Sequence, residues 1–149
     1  EKKWLNAISS FERAMKLDAK NIFYLTAYAD ANYQYSNIEE AISCYEEAVE
    51  LNPNIKSNWI TLANLYFENK DVEQAVAVMD EAEIKCSKAM EFGYYKTAFL
   101  YAVGKRNEAI SVLEKALIKG YKKHKLLFKI LPDLKQDNMV IAMIEQFKK

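Results

Sequence analysis

Apolar and polar residues alternate along this chain with the period of an α-helix, and one helical face is written four times. The stretches NAISSFERAMKLDAK, EAISCYEEAVELNPN, QAVAVMDEAEIKCSK and EAISVLEKALIKGYK begin at Asn6, Glu40, Gln74 and Glu108, each 34 residues after the one before. Aligned, they superpose Ala7, Ala41, Ala75 and Ala109, then Phe11, Tyr45, Met79 and Leu113, then Ala14, Ala48, Ala82 and Ala116. Small, large, small at i, i+4 and i+7 is one face of a helix. Alanine lets a second helix approach closely, and the large residue between fills the gap that results.

The intervening stretches Asn21–Asn37, Asn58–Asp71 and Phe92–Asn107 also place apolar residues three and four apart, contain no proline and end in polar clusters. Gly104 stands where the last of them needs a C-cap. Each period is therefore predicted to be two antiparallel helices. Such a hairpin cannot bury its apolar faces alone, so successive hairpins must stack into a solenoid. Only three Gly and two Pro occur in 149 residues, in keeping with helices joined by short turns.

The pattern changes at both ends. Trp4–Lys20 supplies only the second helix of a pair, which suggests a fragment of a longer array. Near the other end Pro132 interrupts what should be a first helix and pushes Leu131 away from α geometry, while Met143 and Phe147 keep the phase of Ala109 and Leu113. A short helix to about Leu131, a turn and a terminal helix from about Asp137 would form a degenerate cap. The organisation expected is one all-α array over 1–149: a lone second helix in 1–21, full repeats in 22–55, 56–89 and 90–123, and capping helices in 124–149.

A 34-residue helix pair with this face resembles the tetratricopeptide repeat (TPR), whose consensus reads W…L-G…Y…A…F…A…P. Trp59, Leu62, Ala63, Tyr66, Ala75, Met79 and Ala82 stand at the consensus sites of one copy. Leu25, Tyr28, Ala29, Ala41, Tyr45, Ala48 and Pro53 match the copy before it, with Asn32 in place of an aromatic. In the next copy Gly93, Lys96 and Thr97 replace the Trp, Leu and small residue. The resemblance covers roughly residues 4–120 and implies a right-handed α-solenoid whose first helices line a concave groove for a partner's peptide or helix. Carried over residue by residue, that groove presents Phe23, Thr26, Asp30, Tyr33 and Gln34, then Ser57, Ile60, Asn64, Phe67 and Glu68, then Glu91, Tyr94, Ala98 and Tyr101. Tyr33, Phe67 and Tyr101 recur one period apart, as hot-spot aromatics or as packing between helices. TPR co-chaperones that clamp a chaperone's C-terminal carboxylate use Lys, Asn and Arg at sites held here by Thr26, Asp30, Thr61, Glu91 and Tyr95, so that partner is not expected. Asp30, Glu68 and Glu91 suit a neutral, apolar or modestly basic segment better.

Charge refines the picture without redirecting it. The formal net charge is zero, but residues 1–114 carry 12 Lys and Arg against 18 Asp and Glu, and residues 115–149 carry 9 Lys against 3 acids. Only Arg13 and Arg106 among the basic residues are arginines, so the basic end reads as a solvated lysine face rather than a nucleic-acid site. Binding without a steep salt dependence would remove the nucleic-acid reading altogether. Cys44 and Cys86 lie 42 residues apart with no companion ligand, and are read as small apolar fillers. His124 has no second ligand or base at helical spacing, so no metal site, cofactor or catalytic group is expected. No run of about 18 apolar residues suggests a membrane span. The sequence thus points to a protein-interaction module, with self-assembly into homo-oligomers through the repeated faces as the alternative.

Overall fold

The computed structural model describes residues 1–86 and 89–148, and every regular element among them is helical. The chain divides into two compact units, Glu1–Lys70 and Asp71–Lys149.

The first unit holds α1 (Lys2–Leu17), α2 (Ile22–Gln34), α3 (Ile38–Leu51) and α4 (Lys56–Glu68). Helix α2 packs against both α1 and α3, and α3 packs on α4. Asn21 starts α2 by accepting hydrogen bonds from the amides of Phe23 and Tyr24 at 3.0 and 3.3 Å. The repeated face of α3 is closed: Ala41 and Ala48 are fully buried, with Tyr45 buried between them. Trp59 of α4 is buried too, and its indole N–H is satisfied by the Pro53 carbonyl at 2.8 Å. Helix α1 bears the same face but contains no buried residue.

The second unit holds α5 (Val72–Lys85), α6 (Phe92–Ala102), α7 (Arg106–Gly120), α8 (Lys125–Ile130) and α9 (Asn138–Gln146). Helix α6 packs against α5, α7 and α8, and α7 also meets α9. Gly93 stands one period after Trp59, and here only glycine fits: a Cβ on it would lie 2.8 Å from the Cβ of Ala116. Lys96, at the site of a consensus leucine, is buried but paired, its Nζ lying 2.7 Å from Asp80 and 3.2 Å from Glu83. Pro132 opens a 3-10 turn over Pro132–Gln136, and Leu131 before it is held at φ −134°. Asp137 then caps α9 by accepting from the amides of Met139 and Val140 at 3.0 and 3.1 Å. The apolar residues Leu127, Leu134, Val140 and Ile144 of this terminal segment share one core with Tyr94, Leu113 and Ala116.

The repeat is also written in the backbone. Helices α2, α4 and α6 are each followed by a left-handed residue, Ser36 (φ 70°), Lys70 (φ 67°) and Gly104 (φ 81°), spaced 34 apart. In the first and third of these turns the chain closes back in a Schellman motif. Ser36 N–H reaches Tyr33 O at 3.0 Å and Asn37 N–H reaches Asn32 O at 2.9 Å, matched by Gly104 to Tyr101 and Lys105 to Leu100, both at 3.0 Å. Glycine adopts this conformation freely, whereas Ser36 and Lys70 carry a steric penalty of about 1–2 kcal/mol.

Candidate functional site

A cleft of about 590 Å³ opens in the first unit. Its lining comes from four helices, three of them contributing residues at helical spacing. Helix α1 contributes Trp4, Ala7 and Phe11, α2 contributes Ala27, Asp30, Ala31 and Gln34, and α4 contributes Thr61, Asn64, Leu65 and Glu68. The positions from α2 and α4 are one period apart, so two walls of the cleft are the same helical register used twice. Tyr33 and Tyr45 complete the lining.

Two phenols hold the two carboxylates of this lining. The Tyr45 hydroxyl donates to Asp30 Oδ1 at 2.7 Å, and the Tyr33 hydroxyl donates to Glu68 Oε2 at 2.6 Å. Burial, and then the Asp30 carboxylate, push the Tyr45 phenol well above its ordinary range. The hydrogen bond to Glu68 raises that of Tyr33. Both phenols therefore remain donors at neutral pH, fixing the carboxylates while leaving their other lone pairs open. Among the described residues, no Lys, Arg or His lines the cleft. Asp30 and Glu68 give the cleft an acidic character.

Among the described residues, no group of three or more His, Cys, Asp and Glu side chains is placed to hold a metal ion. Cys44 and Cys86 are buried thiols, and burial pushes the Cys44 thiol up to about 12, far from a reactive thiolate. His124 turns its Nδ1 to the Tyr121 carbonyl at 2.8 Å and stacks near the Tyr121 ring. No helix is long and apolar enough to cross a membrane among the described residues.

The groove residues expected from the sequence fall into three groups. Asp30, Tyr33, Gln34, Asn64 and Glu68 come together around the cleft. Phe23 and Ser57 are exposed near helix starts, Ile60 and Phe67 are half-buried, and Thr26 turns its hydroxyl to the Ile22 carbonyl at 2.9 Å, none of the five lining the cleft. In the second unit Glu91 is half-buried, facing Lys123 at 3.8 Å, and Tyr101 packs against the core with Arg106 over its ring at 5.3 Å. Tyr94 and Ala98 are a correction. Both are buried in the core of that unit, because the terminal segment folds over their face, and the Tyr94 hydroxyl donates to the Gly120 carbonyl at 2.9 Å. Sequence reasoning missed Trp4, Ala7 and Phe11 as lining residues, although their i, i+3, i+7 spacing on a repeated face was a signal. It also assigned Tyr45 to packing alone, whereas its hydroxyl crosses to Asp30.

A profile of the family described as anaphase-promoting complex, cyclosome, subunit 3 matches residues 34–116. Among solved structures, that of MamA is 15% identical with a TM-score of 0.64, over 97% of this chain and 86% of the other. TTC0263, a thermophilic TPR protein in Thermus thermophilus, is 17% identical with a TM-score of 0.61, over 97% and 81%. YrrB, a TPR protein with an unusual peptide-binding site, is 12% identical with a TM-score of 0.59, over 98% and 77%. At these identities the likeness shows the fold, an α-solenoid of the TPR kind. No curated protein matches the chain in sequence.

Proposed function

This chain belongs to the family described as anaphase-promoting complex, cyclosome, subunit 3, and is a TPR protein; from that premise we propose that the cleft of its first unit receives a peptide or helix of a partner protein. TPR proteins are in general interaction scaffolds rather than catalysts, and the family description names one subunit of a multi-protein complex. YrrB, with the same fold, carries a peptide-binding site, which supports a similar use here. The observation that carries the reading is the lining itself: two helices in one register, with two carboxylates fixed by phenols and an apolar wall opposite.

Asn64→Arg tests it by filling the cleft from a half-buried position. The chain used as bait is expected to retain a discrete set of proteins that the variant loses, with helicity and melting temperature unchanged. A captured set indifferent to the substitution would reject the reading. Self-assembly is a second reading, favoured by the acidic balance of residues 1–114 against the basic balance of 115–149. Light scattering over a concentration series separates the two, since partner capture needs no oligomer.

A further inference from the structure

We propose that one rim of the second unit docks peripherally on an anionic lipid surface, its lysines meeting the headgroups while Ile84, Met90 and Ile118 enter the acyl boundary. The inference goes beyond the partner site and uses none of the cleft residues.

The rim is where helix ends of this unit come together. The last turns of α5 and α7 meet through Glu83 and Lys119, 3.1 Å apart. The first turn of α6 meets the end of α7 where the Tyr94 hydroxyl donates to the Gly120 carbonyl at 2.9 Å. Glu91, just before α6, faces Lys123 at 3.8 Å in the turn that leads into α8. Met90 lies against the same corner, since a Cβ added to Gly120 would be 2.9 Å from the Met90 Cβ.

Two unlike features coincide on this rim. Large apolar side chains stand in water there: Ile84 is 81% exposed, Ile118 68% and Met90 53%. Ile84 and Ile118 are one period apart and are the chain neighbours of the bridged Glu83 and Lys119. Around them, residues 115–132 contain Lys115, Lys119, Lys122, Lys123, Lys125 and Lys129 and no Asp or Glu. All six lysines are exposed. The nearby glutamates are already bridged, Glu81 to Lys85 at 2.6 Å, Glu83 to Lys119 and Glu91 to Lys123. Lys115, Lys122, Lys125 and Lys129 have no carboxylate partner among the described residues. The rim therefore carries positive charge that the protein does not compensate.

Single exposed apolar residues are ordinary. Three at one rim, interleaved with unpaired lysines, have the composition of an interfacial anchor. Lysine is a flexible point charge suited to a fluid sheet of headgroups, whereas base-edge recognition draws on the arginine fork. Neither arginine is on the rim: Arg106 opens α7 at its other end, and Arg13 belongs to the first unit. Single-stranded nucleic acid would ask for a free aromatic platform, but Tyr121 is half-buried with its ring 4.7 Å from that of His124. A folded acidic partner would satisfy the lysines alone. Apolar tips on three separate segments are received without a matched pocket by a fluid acyl boundary. Docking is peripheral, since no helix among the described residues is long and apolar enough to cross a membrane.

The test is co-sedimentation of the full chain with phosphatidylcholine vesicles containing about one third phosphatidylserine, against vesicles of phosphatidylcholine alone. Saturable binding to the anionic vesicles only is expected, weakening as salt rises. Lys122→Gln with Lys125→Gln should lower the affinity at least about tenfold. Ile118→Ser should lower it about fivefold without changing charge, and Ile84→Ser, at an equally exposed site, repeats that measurement should the first variant lose helicity. No binding to the anionic vesicles, equal binding to phosphatidylcholine alone, or indifference to the lysine pair would overturn the inference. So would full vesicle binding by both serine variants, or equal affinity for polyglutamate or a random-sequence RNA at the same salt, since either would reduce the rim to a general attraction for polyanions.

Discussion

Helices α1 and α7 carry the same alanine-framed face, yet one borders an open cleft and the other is sealed. On α7, Ala109 and Leu113 are fully buried and Ala116 touches the backbone of α6 so closely that position 93 must be glycine. On α1, Ala7, Phe11 and Ala14 are only half-buried. The two helices differ in what lies across them rather than in their pattern. A repeated face is therefore a contact surface by composition and becomes core where a neighbour covers it.

The contrast can be broken most severely at the position where the units exchange bulk. Trp59→Ala empties a filled slot in the first unit and is expected to cost about 3–5 kcal/mol in urea melts. Gly93→Ala, one period on, makes the opposite error and is expected to cost about 1–3 kcal/mol by forcing α6 off Ala116. Next comes the face itself. Ala48→Leu overpacks a sealed contact, at a cost of about 1–3 kcal/mol, whereas Ala14→Leu on the uncovered face should stay within about 0.5 kcal/mol of the parent. Equal losses at the two sites would show that α1 is covered after all. Smaller still is the effect at the turns: Ser36→Gly and Lys70→Gly should each raise stability by about 1 kcal/mol, while Gly104→Ala should lower it by a similar amount.

Alkaline titration gives the gentlest comparison, since each unit holds one buried phenol. Burial pushes Tyr94 up to about 12, and burial with Asp30 raises Tyr45 further above the ordinary value of 10.0. Folding favours the protonated phenols, so their stabilisation is complete below the unfolded-state value and is lost as pH climbs past 10.0 towards the folded-state values. Stability measured in urea should be flat up to there and then decline. Tyr45→Phe is expected to make that decline shallower without abolishing it, because Tyr94 still titrates.

The period, the helix pairs and the alanine contacts were legible because close packing constrains residue size at fixed spacing, and a single sequence displays that constraint four times. Part of the cleft was legible through the family resemblance, since Asp30, Tyr33, Gln34, Asn64 and Glu68 are groove positions that the TPR pattern implies. Phase could not show that α8 and the terminal segment fold over Tyr94 and Ala98, because that depends on a non-repeating stretch turning at Pro132. Nor could it show the Tyr45 hydroxyl reaching Asp30. Spacing identifies the face a residue occupies, whereas a crossing hydrogen bond depends on ångström-scale separation between helices.

The left-handed residues at 36, 70 and 104 leave the hairpins no slack. One amino acid inserted after Ser36 would have to be absorbed by spinning the following helix through about 100°, swinging Ala41 and Tyr45 out of the seam with α2 and parting the phenol from its carboxylate. Lineages of such chains can thus lengthen by whole 34-residue modules far more readily than by single codons within these turns.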